Sequence, residues 1–353
     1  MLNLGKSLNW KRTLFGKQER HVKRNHPIDQ DLSDLLGRIR EKMMELKHPP
    51  LEELTPEQSR FFYKEARTFF NPFESDGIQT HNVYVGEGNI PVRIYQPAGA
   101  EELPVFLFMH GGGWVFGDLD SADSLCTYFA KNAECLVISA GYRLAPEHPF
   151  PAALQDVMVV AQWALQNVRH WNGNPAQMAI GGESSGANLA AAAVLWMKEL
   201  GSCPFQLQVL ITPVLRHQFE TDSYQSGYAF NLTKEKMEWF WNHYVTDARQ
   251  GSHPFASPLN AKSHKDVPPL LLVTAEYDPL RDEGFQYAEK LKNEGIHVKH
   301  LHYSQLVHSF PNMIGQVKSA DSAMIELAGT LKTMLRDRFL FLIENENYSR
   351  IER

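Results

Sequence analysis

Gly182-Glu-Ser-Ser-Gly186 holds a serine two residues from a glycine on either side, between a short apolar run at Met178 to Ile180 and an alanine-rich stretch, 187–200, that stops at Gly201. The run reads as the end of a buried strand, and the stretch as a helix closed by a C-terminal glycine. A serine in so sharp a strand-to-helix turn takes a strained backbone, and the flanking glycines leave room for the neighbouring strand and helix. Its hydroxyl then stands exposed above the N-terminus of the helix. The chemistry is that of a nucleophile, and Ser184 is the residue placed for it, since centring the pattern on Ser185 would require glycine where Glu183 stands. For the pentapeptide alone a merely flexible turn is the competing reading, because the pattern recurs by chance.

A serine nucleophile needs an oxyanion site, a base and an acid. After the apolar run Val105 to Met109 comes His110-Gly-Gly-Gly-Trp114, whose glycines can present bare backbone N–H groups to an oxyanion. It is not a phosphate loop, for no Lys-Ser/Thr follows, and a G-x-G-x-x-G frame from Gly111 meets Phe116 at its last glycine. Where such a nucleophile turn occurs, the acid and then the histidine follow it along the chain, each on a loop after a strand. The run from Leu270 ends in Ala275-Glu-Tyr-Asp-Pro-Leu-Arg-Asp-Glu283, and that from Val298 ends at Val307-His-Ser-Phe310. Asp278 and His308 are the candidates. Glu276 and Asp282 compete for the acid, Asp278 could be a helix N-cap, and His300 and His302 alternate along a strand.

The elements that must position these residues are legible from periodicity. Residues 29–47 and 55–70 read as two charged helices separated by Pro49 and Pro50, with Thr55, Pro56 and Gln58 forming a helix-start pattern. From His81 the period becomes two, with Val83, Val85, Val92 and Ile94 alternating around a turn at Gly86 to Asn89. Apolar runs then recur at 105–109, 136–138, 178–180, 207–211, 270–273 and 298–301, mostly separated by helix-sized segments, which is the pattern of a largely parallel sheet covered by helices. Between the fourth and fifth of these runs lies a long insertion rich in aromatic residues, with 232–245 reading as a helix. It suggests a lid whose rings, Tyr224, Tyr228, Phe230 and Trp239 to Trp241 among them, mostly pack it onto the core while a few face substrate. Three scattered cysteines and a net charge of -6 argue against a disulfide framework, structural zinc and nucleic-acid binding.

His110-Gly-Gly-Gly-Trp114, Tyr142-Arg-Leu-Ala-Pro-Glu-His-Pro-Phe-Pro-Ala-Ala153, the serine turn, Asp278-Pro-Leu-Arg-Asp-Glu283 and His308-Ser-Phe310 together resemble the hormone-sensitive lipase family of α/β-hydrolases, the bacterial family IV carboxylesterases. The resemblance implies an α/β-hydrolase fold in which a mostly parallel central sheet is flanked by helices and covered by a helical cap. Expected units are an N-terminal cap segment at 1–80, the catalytic domain at 81–215 and 262–353, and a cap insertion at 216–261. The implied triad is Ser184, Asp278 and His308, with an oxyanion hole from the N–H groups of Gly112, Gly113 and Ser185. Arg143 and Glu147 are expected in supporting roles. The chain departs from the common family pattern at Glu183, at Gly141 and at Ser309, where aspartate, an acid and glycine are frequent; none of these removes a catalytic group.

The implied activity is hydrolysis of short to medium acyl esters through an acyl-enzyme, with a small-molecule ester as partner and with neither cofactor nor metal. Amidase, lactonase or deacetylase chemistry would use the same parts. A non-catalytic receptor of this fold would have lost the histidine that His308 supplies. A homodimer stays open, and the reducing cytoplasm is the expected compartment, with no spanning run and no secretory h-region. The first 24 residues carry seven basic side chains against Glu19 alone. Leu4, Leu8, Leu14 and Phe15 share a helical face that Lys11 interrupts, which favours a solvated terminus over contact with anionic lipid.

Overall fold

The computed structural model describes residues 28–336 apart from 71, 202 and 227–229. The basic segment 1–24 and Tyr228 therefore lie outside the described residues. Two helices come first, α1 (Gln30–Glu45) and α2 (Pro56–Arg67). The pattern at Thr55 folds as a capping box: its hydroxyl accepts the Gln58 N–H while the Gln58 side chain accepts the Thr55 N–H, each satisfying a donor the helix leaves unpaired.

A hairpin, β1 (Ile78–Val85) and β2 (Ile90–Pro97), leads into the sheet, followed by β3 (Leu103–Met109), β4 (Leu136–Ala140), β5 (Gly173–Glu183), β6 (Leu207–Ile211), β7 (Leu270–Tyr277) and β8 (Val298–Val307). Their order across the sheet is β1-β2-β4-β3-β5-β6-β7-β8, and every pair from β4 to β8 is parallel. Only the β1–β2 and β2–β4 pairs are antiparallel. Crossover helices α3 (Asp123–Asn132), α4 (Ala152–Asn167), α5 (Ser185–Glu199) and α9 (Arg281–Asn293), with the final helix α10 (Lys318–Arg336), cover both faces. All seven residues of β3 are buried, as a strand sandwiched between helix layers requires. Two apolar clusters result: one around Leu107, Ile180 and Leu210 and one around Phe106, Val209 and Leu271, so successive residues of a strand serve opposite faces. Several strands outrun their apolar runs; β5 begins at Gly173 because Leu103 pairs with it beyond a register shift.

The aromatic insertion between β6 and β7 contributes α6 (Asp222–Gln225), α7 (Lys234–Tyr244) and α8 (Ala248–Gly251), forming a helical cap region. Trp239, Phe240, Trp241 and Tyr244 are buried, as expected for rings that seat the insertion. The Trp114 ring stacks on Tyr244 at 4.0 Å and meets Trp241 edge-on at 4.8 Å, fixing α7 against the loop after β3. No helix of the described residues is long and apolar enough to cross a membrane.

The Tyr142 to Ala153 block is a structural brace. Arg143 makes a two-pronged contact with Asp156 of α4, 2.8 to 3.0 Å, and Asp156 also accepts the Arg143 backbone N–H. Arg60 of α2 reaches Glu147 with both terminal guanidinium nitrogens and donates to the Ala145 and Val115 carbonyls. The Asp156 side chain is 5% exposed and that of Glu147 54%. Asp156→Ala, which strips a buried acceptor from a charged partner and a backbone N–H, is expected to cost ~2 kcal/mol in urea unfolding. Glu147→Ala should cost less than ~1 kcal/mol in the same measurement, because its pair is screened by solvent.

Candidate active site

Ser184 lies between β5 and α5 with φ 55° and ψ -117°, a backbone region that costs a non-glycine residue energy. Its neighbours hold it there: its N–H donates to the Ile211 carbonyl of β6, and its own carbonyl accepts from Asn188. A Cβ on Gly182 or Gly186 would run into the Met109 carbonyl oxygen of β3, so the turn can form only with glycine at both positions. The predicted strained turn is therefore present, and Ser184 is 6% exposed at its apex.

The loops after β7 and β8 meet this apex. His308 Nε2 lies 3.0 Å from Ser184 Oγ, and its Nδ1 lies 2.8 Å from Asp278 Oδ2. Asp278 Oδ1 accepts the Leu280 N–H at 2.9 Å, which fixes the carboxylate at the head of α9. The competitors are occupied elsewhere. Asp282 accepts the Ser223 N–H at 2.7 Å and pairs with Arg281, tying the cap to α9, while Glu276 pairs with Arg281 and with His302. His300 and His302 stay on β8, both against Thr274 Oγ1.

Gly112 and Gly113 take φ of 119° and 59°, and the Gly112 carbonyl accepts from both Val115 and Phe116. A Cβ on Gly113 would meet the Phe240 ring, so the cap presses directly on this loop. Ser185 is the first residue of α5, and its N–H is one of those a helix leaves without an internal acceptor. The three residues expected to supply an oxyanion hole thus stand in the loop after β3 and at the start of α5.

Two residues that sequence patterns did not single out as functional touch the histidine. Glu183, buried beside Gly111, puts Oε1 3.8 Å from His308 Nε2 and accepts from Ser309 Oγ at 2.5 Å. The two departures noted at 183 and 309 are thus bonded to each other across the site. Asn231 of the cap donates its side-chain amide to the His308 carbonyl at 2.6 Å, and nothing in the local sequence marks it. Burial pushes the Glu183 carboxyl up, against the opposing pull of the His308 charge and the Ser309 hydroxyl. Burial alone would lower His308, but the charge and hydrogen bond of Asp278, with the charge of Glu183 added, outweigh it and hold the imidazole above its ordinary value. His110, by contrast, is driven by burial to about 4, and its ring stacks on Tyr142 as a neutral structural group.

In front of Ser184 and His308 opens a cavity of about 280 Å³ shared by α1, α2 and α7, with Met43, Phe62, Met237 and Phe240 in its wall. A histidine nitrogen in contact with a serine hydroxyl and a carboxylate behind the ring form the triad arrangement of a serine hydrolase.

The comparisons with known proteins agree with this geometry. A family model described as an alpha/beta hydrolase fold matches residues 106–312, and the chain belongs to that family, among the esterases related to hormone-sensitive lipase. It is 37% identical over 256 residues to the carboxylic ester hydrolase LipN of Mycobacterium tuberculosis, covering 70% of this chain and 68% of that one. It is 30% identical to the ethyl acetate hydrolase of Pseudomonas putida over 87% of this chain and 99% of the relative. Among solved structures, a thermostable esterase from Pseudomonas putida superposes with a TM-score of 0.80 at 32% identity, covering 88% of this chain and 98% of that one. A hyperthermophilic esterase from Pyrobaculum calidifontis gives 0.78 at 30% identity over 88% and 99%. The chain is an ester hydrolase of the serine type.

The imidazole can take the serine proton only when neutral, so kcat/KM should rise with pH along an acid limb whose midpoint lies above the ordinary ~6.5 of histidine. Glu183→Gln removes a charge that favours the imidazolium, and the limb of its pH profile is expected to move to lower pH than in the wild type.

Proposed function

We propose that the protein hydrolyses carboxylic esters of short to medium acyl length, with Ser184 as nucleophile, His308 as general base and acid, and Asp278 as the group that orients the histidine. The observation that carries this reading is the unbroken contact from Asp278 Oδ2 through both ring nitrogens of His308 to Ser184 Oγ. Asp278 favours the tautomer with its proton on Nδ1, leaving Nε2 free to accept the serine proton as Oγ attacks the ester carbonyl. The tetrahedral oxyanion is received by the N–H groups of Gly112, Gly113 and Ser185. The imidazolium, steadied by Asp278 and by the nearby Glu183, returns its proton to the departing alkoxide. Water then enters, loses its proton to the same nitrogen and releases the acid from the acyl-enzyme.

The limit on acyl length is supported by the size of the cavity and by the helices that wall it, α1 and α2 from the N-terminal side and α7 from the insertion. A cavity of about 280 Å³ suits a small ester better than a long triglyceride.

With p-nitrophenyl esters of graded acyl length, Ser184→Ala is expected to lower turnover by ~10^4 or more, while Ser185→Ala, which keeps its backbone donor, retains much of the activity. Asp278→Asn should damage kcat far more than Asp282→Asn, whose carboxylate serves the Ser223 contact instead. Near-normal turnover by Ser184→Ala, or the reverse ranking of the two aspartates in folded variants, would overturn the assignment. Arylamides run beside the esters separate esterase from amidase chemistry.

A further inference from the structure

The wall of the cavity before Ser184 is mainly apolar, yet beside Glu183 it also holds Lys236, Arg67 and His48, none of which the hydrolytic steps require; Arg67 lies over the Tyr63 ring, whereas Lys236 is bonded to Asn231. Lys236 stands in the first turn of α7, where the N-cap hydroxyl of Thr233 accepts its backbone N–H. That is the end of a helix at which the dipole disfavours a cation. Its ammonium donates to the Asn231 carbonyl at 2.9 Å, and Asn231 in turn holds the His308 carbonyl, so the cation is fastened to the catalytic loop through one residue. An ammonium has three donors, and one is occupied there. The charged groups that act on it are Glu52 and Glu235, from a distance and without forming an ion pair among the described residues, while His48 from the α1–α2 connection is held below its ordinary value by burial, the Lys236 charge adding to the effect. Burial, only partly offset by Glu52 and Glu235, pulls Lys236 down to about 8. At neutral pH it is still mostly protonated. A cation in a mainly apolar wall, with Glu52 and Glu235 acting on it only from a distance, bears a cost that a bound anion would relieve.

We propose that Lys236 is the docking point for a carboxylate carried by the substrate, so that the preferred esters bear a negative charge on the acyl or alcohol part, away from the scissile bond. The proposal rests on the hydrolytic reading above and narrows its substrate class. A carboxylate matches the single ammonium in charge and accepts its remaining N–H groups, and a methylene spacer fits the apolar wall.

The test compares hemiesters of linear dicarboxylic acids, and acylated hydroxycarboxylic acids, of ascending spacer length with neutral esters of equal length, in the wild type, Lys236→Met and Lys236→Arg. At one spacer length the charged-to-neutral ratio of kcat/KM is expected to be about tenfold or more higher in the wild type than in Lys236→Met, with Lys236→Arg restoring most of it. Because titration of His308 affects both substrates alike, the wild-type ratio itself should fall as pH rises through about 8. A ratio equal in wild type and Lys236→Met at every spacer length, or one indifferent to pH across that value, overturns the docking point. Hydrolysis of the neutral esters tests the hydrolytic reading separately, so a flat ratio with active neutral hydrolysis sinks the docking point alone.

Discussion

The close approach of the β5–α5 turn to the Met109 carbonyl of β3 is the constraint on which the site depends. Gly182 and Gly186 lie against that oxygen with no space for a side chain, and Ser184 between them is forced to φ 55°. Such a conformation costs about 1–3 kcal/mol and persists only where the surroundings over-determine it. Here β6 fixes the Ser184 N–H through Ile211, and α5 takes its carbonyl through Asn188. The outcome is a hydroxyl at the apex with the first amide of α5 beside it, both set by one backbone feature. The parallel order β3-β5-β6-β7-β8 then brings the loops that follow β3, β7 and β8 to the same edge of the sheet.

The second carboxylate gives this site its own character. Asp278 addresses Nδ1 of His308, whereas Glu183 lies beside Nε2, the nitrogen that exchanges protons with serine. Two acids on two sides of one ring both favour its charged form, while burial opposes it. Glu183 is kept in place by Ser309, itself in a left-handed conformation at φ 56°. The pair links the nucleophile turn to the histidine loop, so a change at 309 reaches the serine through a carboxylate rather than through the ring.

The cap is coupled to the chemistry rather than laid over it. Phe240 contacts Gly113, Trp114 stacks on Tyr244, Asn231 holds the His308 carbonyl, and Ser223 is tied to Asp282 four residues after Asp278. The cap therefore touches the loop after β3 through α7, the histidine loop through Asn231 and the neighbourhood of Asp278 through α6. Lys236, in the cavity wall, is reached from His308 through Asn231 alone.

The sequence by itself determined the strand and helix order, the parallel sheet, the nucleophile turn and its glycine-rich partner, because these rest on local rules: apolar periodicity, helix caps and the glycines that tight turns demand. It named Asp278 and His308 but left Glu276, Asp282, His300 and His302 in competition, since spacing along a chain carries no information on which carboxylate faces which ring. Tertiary structure decided that by sending Asp282 to Ser223, Glu276 to Arg281 and the two strand histidines to Thr274, leaving Asp278 and His308 together. It also decided what no pattern could express: that the departures at Glu183 and Ser309 form one hydrogen bond, and that Asn231, in a different element, bonds the histidine loop. Contacts between residues 126 and 77 positions apart depend on how the sheet brings distant loops to one edge, and only the folded chain sets that distance.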